Sequence, residues 1–147
     1  MPTRRQTIDE AEIRQRIGDL VEAVRAMDLE GVKSIYAADL LSFDIEPPLQ
    51  HVGAPAKWKN WAGVFAAYRP PLGYETRDLE ITVGGGVAFG RSLNRISGTL
   101  KNGEPIDHWV RWTACFRKID DDWLIVHDHI SVPLDVQSGR ALLDLKP

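Results

Sequence analysis

The sequence predicts an α+β domain, with helices first and a long antiparallel sheet after them. Apolar residues in the first half recur every three or four positions, which is helical spacing. From Tyr74 onward the chain turns to runs rich in β-branched and aromatic residues. Gly84-Gly85-Gly86, Lys101-Asn102-Gly103 and Asp120-Asp121-Asp122 separate those runs, and each is a turn composition. Helices followed by a meander leave one arrangement, in which the helices cover one face of a curved sheet.

Residues 1–8 are polar and read as an N-terminal tail. Ile13, Ile17, Leu20, Val21 and Val24 then give one buried face to a first helix ending near Met27. Asp28 to Gly31 interrupts it, and Val32, Ile35 and Tyr36 predict a short second helix to Ala38. Leu40 to Ile45 reads as a strand stopped by Pro47-Pro48, because proline cannot donate to a sheet ladder. Trp58, Trp61, Val64, Phe65 and Tyr68 predict a third helix over 54–68, ended by Arg69-Pro70-Pro71. Strands follow over 74–83, 87–100, 106–119 and 123–132. The domain thus spans 9–133, and the tail 134–147 is apolar enough at Ala141, Leu142, Leu143 and Leu145 to dock on the body or on a second subunit.

With 147 residues and 44% hydrophobic content, the chain suits one domain with one core. A net charge of −3 with scattered Lys and Arg offers no basic stripe, so nucleic acid is not an expected partner. No apolar run is long enough to span a membrane and no signal-peptide core follows Arg4-Arg5, so a cytoplasmic location is expected. The single Cys115 has no partner in the chain and reads as a small hydrophobe.

The richest stretch is Trp123-Leu124-Ile125-Val126-His127-Asp128-His129-Ile130. Strict strand alternation puts His127 and His129 on one face with Trp123 and Ile125, two titratable rings on an apolar surface. Such a face suits a pocket, although buried histidines also serve as satisfied members of core networks. A metal set of His127 and His129 with His108 or Asp44 is permitted by strand spacing but demanded by nothing, so neither metal nor cofactor is expected. Arg91, Arg95 and Arg111 fit an outer face better than an anion site, and His51 reads as structural.

Tyr36-Ala37-Ala38-Asp39 leading into Ser42-Phe43-Asp44, His51-Val52-Gly53 before the third helix, and the closing run from Asp122 to Pro133 together resemble the NTF2-like superfamily, in its SnoaL-like, ketosteroid-isomerase-related branch. The resemblance implies a cone-shaped shell with a pocket between sheet and helices. It places Asp44 at the position of the isomerases' general base, but Leu20 and Ala114 at the positions of their oxyanion donors, so authentic steroid isomerisation is not expected. Fold alone does not fix activity in such a superfamily. The same matching turns Trp112, His127 and His129 toward the pocket.

Two classes of function follow. One is a cofactor-independent isomerase, cyclase or dehydratase in which Asp44 pairs with His129, and with His127, as acid and base. The other is a non-catalytic ligand-binding or dimerisation module. In either, Trp61, Trp112, Phe65 and Asn94 are the expected contacts to a small hydrophobic or aromatic ligand. The interior is expected to hold Leu20, Phe43, Trp61, Phe65, Trp112 and Phe116. Trp109, Arg111, Thr113 and Cys115 on the alternate face predict a homodimer packed through the outside of the sheet.

Overall fold

The computed structural model describes residues 1–147, and its elements follow from local chemistry. Helix α1 (Arg4–Arg25) opens with a reciprocal capping box between Thr3 and Gln6 and buries Ile13, Ile17, Leu20 and Val24 along one stripe. The segment expected as a free tail therefore supplies the first turns of α1. Met27 takes a positive φ of 52°, and Asp28 then caps α2 (Leu29–Lys33) by accepting from the Gly31 N–H at 3.1 Å. The second helix is shorter than expected: Tyr36, Ala37 and Ala38 already belong to strand β1 (Tyr36–Phe43). After the short β2 (His51–Val52), Gly53 adopts φ +87°, a conformation that favours glycine, and launches α3 (Ala54–Ala67) with proline in its first turn.

Four long strands follow: β3 (Tyr68–Gly84), β4 (Val87–Leu100), β5 (Pro105–Ile119) and β6 (Asp122–Ser131). Pro70-Pro71 lies inside β3 rather than before it, at an irregularity of the β3–β4 register between Arg69 and Gly73. Asp120 and Asp121 both take positive φ, 49° and 67°, in the tight turn between β5 and β6. The six-stranded sheet runs β2-β1-β6-β5-β4-β3, antiparallel except where β1 meets β6. On one face lies the core of α1, α2 and α3 against Leu40, Ala114, Phe116, Trp123 and Ile125. A terminal hairpin, β7 (Leu134–Asp135) and β8 (Arg140–Ala141), brings Leu143 back onto the body.

One bulge decides the site. Phe116 pairs with Ile125 and Cys115 with His127, so Val126 is an extra residue on β6. Two residues against one reverse the alternation downstream. Trp123 and Ile125 point into the core, but after Val126 it is Asp128 and Ile130 that point inward. His127 and His129 turn to the outer face. This corrects the expectation that they share a face with Ile125. Phe43, expected in the interior, also lies outside, with its ring 4.7 Å from that of His127 and 5.7 Å from that of His129.

Candidate functional site

Between α1, α3 and the inner face of the sheet lies a cavity of about 340 Å³. Its walls come from Leu20 of α1, Tyr36 of β1, Lys57, Asn60, Trp61 and Val64 of α3, Tyr74 of β3, Asn94 and Ile96 of β4, His108, Val110 and Trp112 of β5, and Asp128 and Ile130 of β6. Asp44, Ile45 and Glu46 follow β1 at its rim, and Leu143 covers it from the terminal segment. The His108 ring nitrogen Nδ1 bonds the carbonyl of Leu143 at 3.1 Å, holding that segment in place.

The polar centre is an ion triad. Lys57, only 2% exposed, aims its ammonium at Asp44 Oδ2 (2.9 Å), Asp128 Oδ2 (3.3 Å) and Ser42 Oγ (3.2 Å). The ammonium thus donates hydrogen bonds to Asp44 and Ser42 and makes an ion pair with Asp128. Ser42 in turn donates to Asp128 Oδ1, and Trp112 Nε1 lies 3.5 Å from Asp128 Oδ2, a long contact. Asp44 Oδ1 accepts from the Ile45 N–H at 2.7 Å, and Oδ2 also accepts from Asn60 Nδ2 at 2.7 Å.

These contacts fix the charges. Burial pushes the Asp44 carboxyl up, but the Lys57 ammonium, its hydrogen bond and the Ile45 N–H outweigh burial and hold the group below the ordinary carboxylate value. Burial pushes the Lys57 ammonium down, and the Asp128 and Asp44 carboxylates outweigh that, raising it above the ordinary lysine value. Both are therefore ionised at neutral pH, and the cavity meets carboxylates at Asp44, Glu46 and Asp128 with one ammonium against them.

Around Trp61 sits a second polar group. Trp61 Nε1 donates to Tyr36 Oη at 2.9 Å, and the Trp61 and Tyr74 rings meet edge-on at 6.0 Å. Ser92 Oγ donates to Asn94 Oδ1 at 2.7 Å, and Asn94 Nδ2 donates to Tyr74 Oη at 2.9 Å. Burial raises both phenols, Tyr36 further through Asp128, and Tyr74 to about 12.

Of the residues expected from sequence, the structure gathers Asp44, Trp61, Trp112 and Asn94 on the cavity. Phe65 packs against Trp61 at 5.8 Å instead of lining it. His127 and His129 are separated from Asp44 by the thickness of the sheet, so no Asp and His acid-base pair forms. His127 Nδ1 bonds the Leu41 carbonyl at 2.6 Å on that outer face. His108 faces the opposite way from the other two, and no cluster of three His, Cys, Asp or Glu side chains is placed to hold a metal. Arg91 pairs with Glu80 at 2.9 Å, Arg95 with Asp107 at 2.7 Å, and Arg111 donates to Ser131 at 3.1 Å, none of them on the cavity.

Sequence reasoning missed Lys57, Asp128, Tyr36 and Tyr74 as site residues. A signal for Lys57 was present: Ala54, Lys57, Trp61 and Val64 fall on one helical stripe, whereas Lys59 lies off it and is exposed.

A SnoaL-like domain family model matches residues 13–135. An NTF2-like protein of unknown function from Pseudomonas putida KT2440 is 33% identical and superposes with a TM-score of 0.87, covering 96% of this chain and 98% of that one. An NTF2-like superfamily protein from Salmonella enterica superposes with a TM-score of 0.79 at 17% identity, over 92% of this chain and 99% of that one. A ketosteroid isomerase-like protein from Erwinia carotovora gives a TM-score of 0.70 at 20% identity, over 82% and 93%. At those lower identities the likeness is one of fold. A search of curated proteins found none that matches the chain. No helix is long and apolar enough to cross a membrane.

Proposed function

Since the chain belongs to the SnoaL-like family of the NTF2-like superfamily, we propose that it binds a small, largely apolar, uncharged molecule in its cavity and moves a proton on it through Asp44, as an isomerase, cyclase or dehydratase does. The observation that carries this reading is the ionised Asp44 carboxylate on the wall of an aromatic cavity, with Lys57 and Asn60 fixing its position. A cavity of about 340 Å³ lies at the lower end of small-molecule sites. Its carboxylates disfavour an anionic ligand, and Trp61 and Trp112 suit a flat one. The expected histidine partner is replaced: Asp128 takes the inward place on β6, and Lys57 of α3 stabilises Asp44 as a carboxylate between proton transfers.

A second reading, a binding module without turnover, is favoured by one feature. Asp44 accepts three hydrogen bonds from within the protein, which weakens it as a base. Exchange of the α-protons of β-tetralone for deuterium in D₂O, followed by NMR, separates the two. Catalysed exchange that falls by about two to four orders of magnitude in Asp44→Asn supports proton transfer. Saturable binding without any exchange above the solution rate leaves the binding module.

A further inference from the structure

We infer that Tyr36 and Tyr74 form a donor pair that selects ligands carrying a hydrogen-bond-accepting oxygen, a carbonyl or the enolate derived from it. The inference rests on the small-molecule reading of the cavity and names the group the molecule must bring. It follows from hydrogen-bond direction. An indole nitrogen only donates, so the Trp61 N–H at 2.9 Å makes Tyr36 Oη the acceptor of that bond and leaves the Tyr36 O–H to point elsewhere. Tyr36 is 6% exposed and makes no other side-chain hydrogen bond, so its own proton has no acceptor within the protein.

Tyr74 is set the same way by a longer chain. Ser92 donates to the Asn94 carbonyl, which turns the amide nitrogen toward Tyr74 Oη, and the Tyr74 O–H is again left without a protein acceptor. Asn94 is 1% exposed, and this relay occupies its side chain. Both phenols line the cavity with Trp61 between them. A buried donor without an acceptor is costly, and a ligand oxygen removes that cost where a hydrocarbon does not. A carbonyl oxygen has two lone pairs and so matches two donors. The donors are neutral and remain protonated, so they strengthen toward an enolate while the carboxylates of the cavity reject a permanent anion. These phenols come from β1 and β3, whereas the positions that resemblance to the isomerases singled out hold Leu20 and Ala114.

The test compares β-tetralone with tetralin, which has the same bicyclic frame without the oxygen, by calorimetry and by the carbonyl stretch of the bound ketone. The wild-type chain should bind β-tetralone about tenfold more tightly than tetralin, the ratio expected of one good neutral hydrogen bond, and should shift the bound carbonyl stretch to lower frequency. Tyr36→Phe should bring the preference within about twofold of unity and return most of the shift. Tyr74→Phe should remove part of both and guards against a folding defect in the first variant. Equal affinity for the two probes in the wild-type chain, including failure of both to bind, overturns the inference, as does a preference that survives both substitutions. An intact preference without α-proton exchange sinks the proton-transfer reading and leaves the donor pair standing. Exchange without preference does the reverse.

Discussion

Asp128 and His129 are consecutive, yet the carboxylate of Asp128 lies 3.3 Å from the Lys57 ammonium inside the cavity, while the ring of His129 packs on Phe43 outside it. Ordinary alternation explains that opposition, but the bulge at Val126 decides which of the two faces inward. The chemistry of the site is thus assigned to a carboxylate instead of an imidazole by one extra residue in a strand.

His127→Ala and His129→Ala should therefore leave β-tetralone affinity within about twofold of wild type. The first should still cost about 1 kcal/mol of stability, because it removes the hydrogen bond to the Leu41 carbonyl. Calorimetric titration and urea unfolding of each variant check this. A large loss of affinity in His129→Ala would place that ring back in the site.

Lys57→Met should destabilise the fold by about 3–5 kcal/mol, the typical cost of stranding buried charges by removing their partner. Two carboxylates are stranded here, Asp44 and Asp128. Combining Lys57→Met with Asp44→Asn and Asp128→Asn should recover a substantial part of that loss. Urea unfolding of the single and triple variants measures both figures, and equal stabilities of the two would contradict the triad.

The pH dependence follows from the signs of two shifts. Asp44 titrates below its unfolded value, so its contribution is present above about pH 4 and is lost as pH falls through the folded pKa. Lys57 titrates above its unfolded value, so its contribution is complete below about pH 10 and fades as pH rises further. Unfolding free energy should show a plateau between these limits and fall at both ends. In Asp44→Asn the acid limb should flatten, and an unchanged acid limb would remove Asp44 from the account.

Val87 and Phe89 expose 54% and 48% of their surface on the outer face of β4, opposite Arg117 and Cys115 of β5. A homodimer through this face, burying more than about 1,000 Å², is the expected assembly. Phe89→Glu should shift it to monomer in light scattering at micromolar concentration. A wild-type chain that is already monomeric there refutes the assembly.

The long strands were legible because periodicity and turn chemistry agree: the expected bounds of β4, Val87 to Leu100, are those observed. Trp61 was legible from its helical spacing, whereas Trp112 was turned toward the pocket through the resemblance, and both line the cavity. Asp128 was not legible, because a bulge leaves no composition mark in a run such as Ile125-Val126-His127 and only cross-strand pairing reveals it. Tyr36 was read as helical from its spacing to Val32, whereas pairing with β6 draws it into the sheet. Asp44 was legible only through resemblance, since its partners Lys57 and Asn60 lie on a helix read for its apolar spacing at Trp58, Trp61, Val64 and Phe65.

The ion triad also constrains how the chain can change over generations. Replacing Lys57 alone strands two carboxylates in the interior, whereas losing Asp44 or Asp128 alone leaves a one-to-one ion pair. A route out of this arrangement that begins at the lysine passes through a poorly folding intermediate, so a carboxylate should be lost before or together with Lys57. Relatives that lack the lysine should lack at least one of the carboxylates as well, and where all three are gone the cavity is freed for a different chemistry.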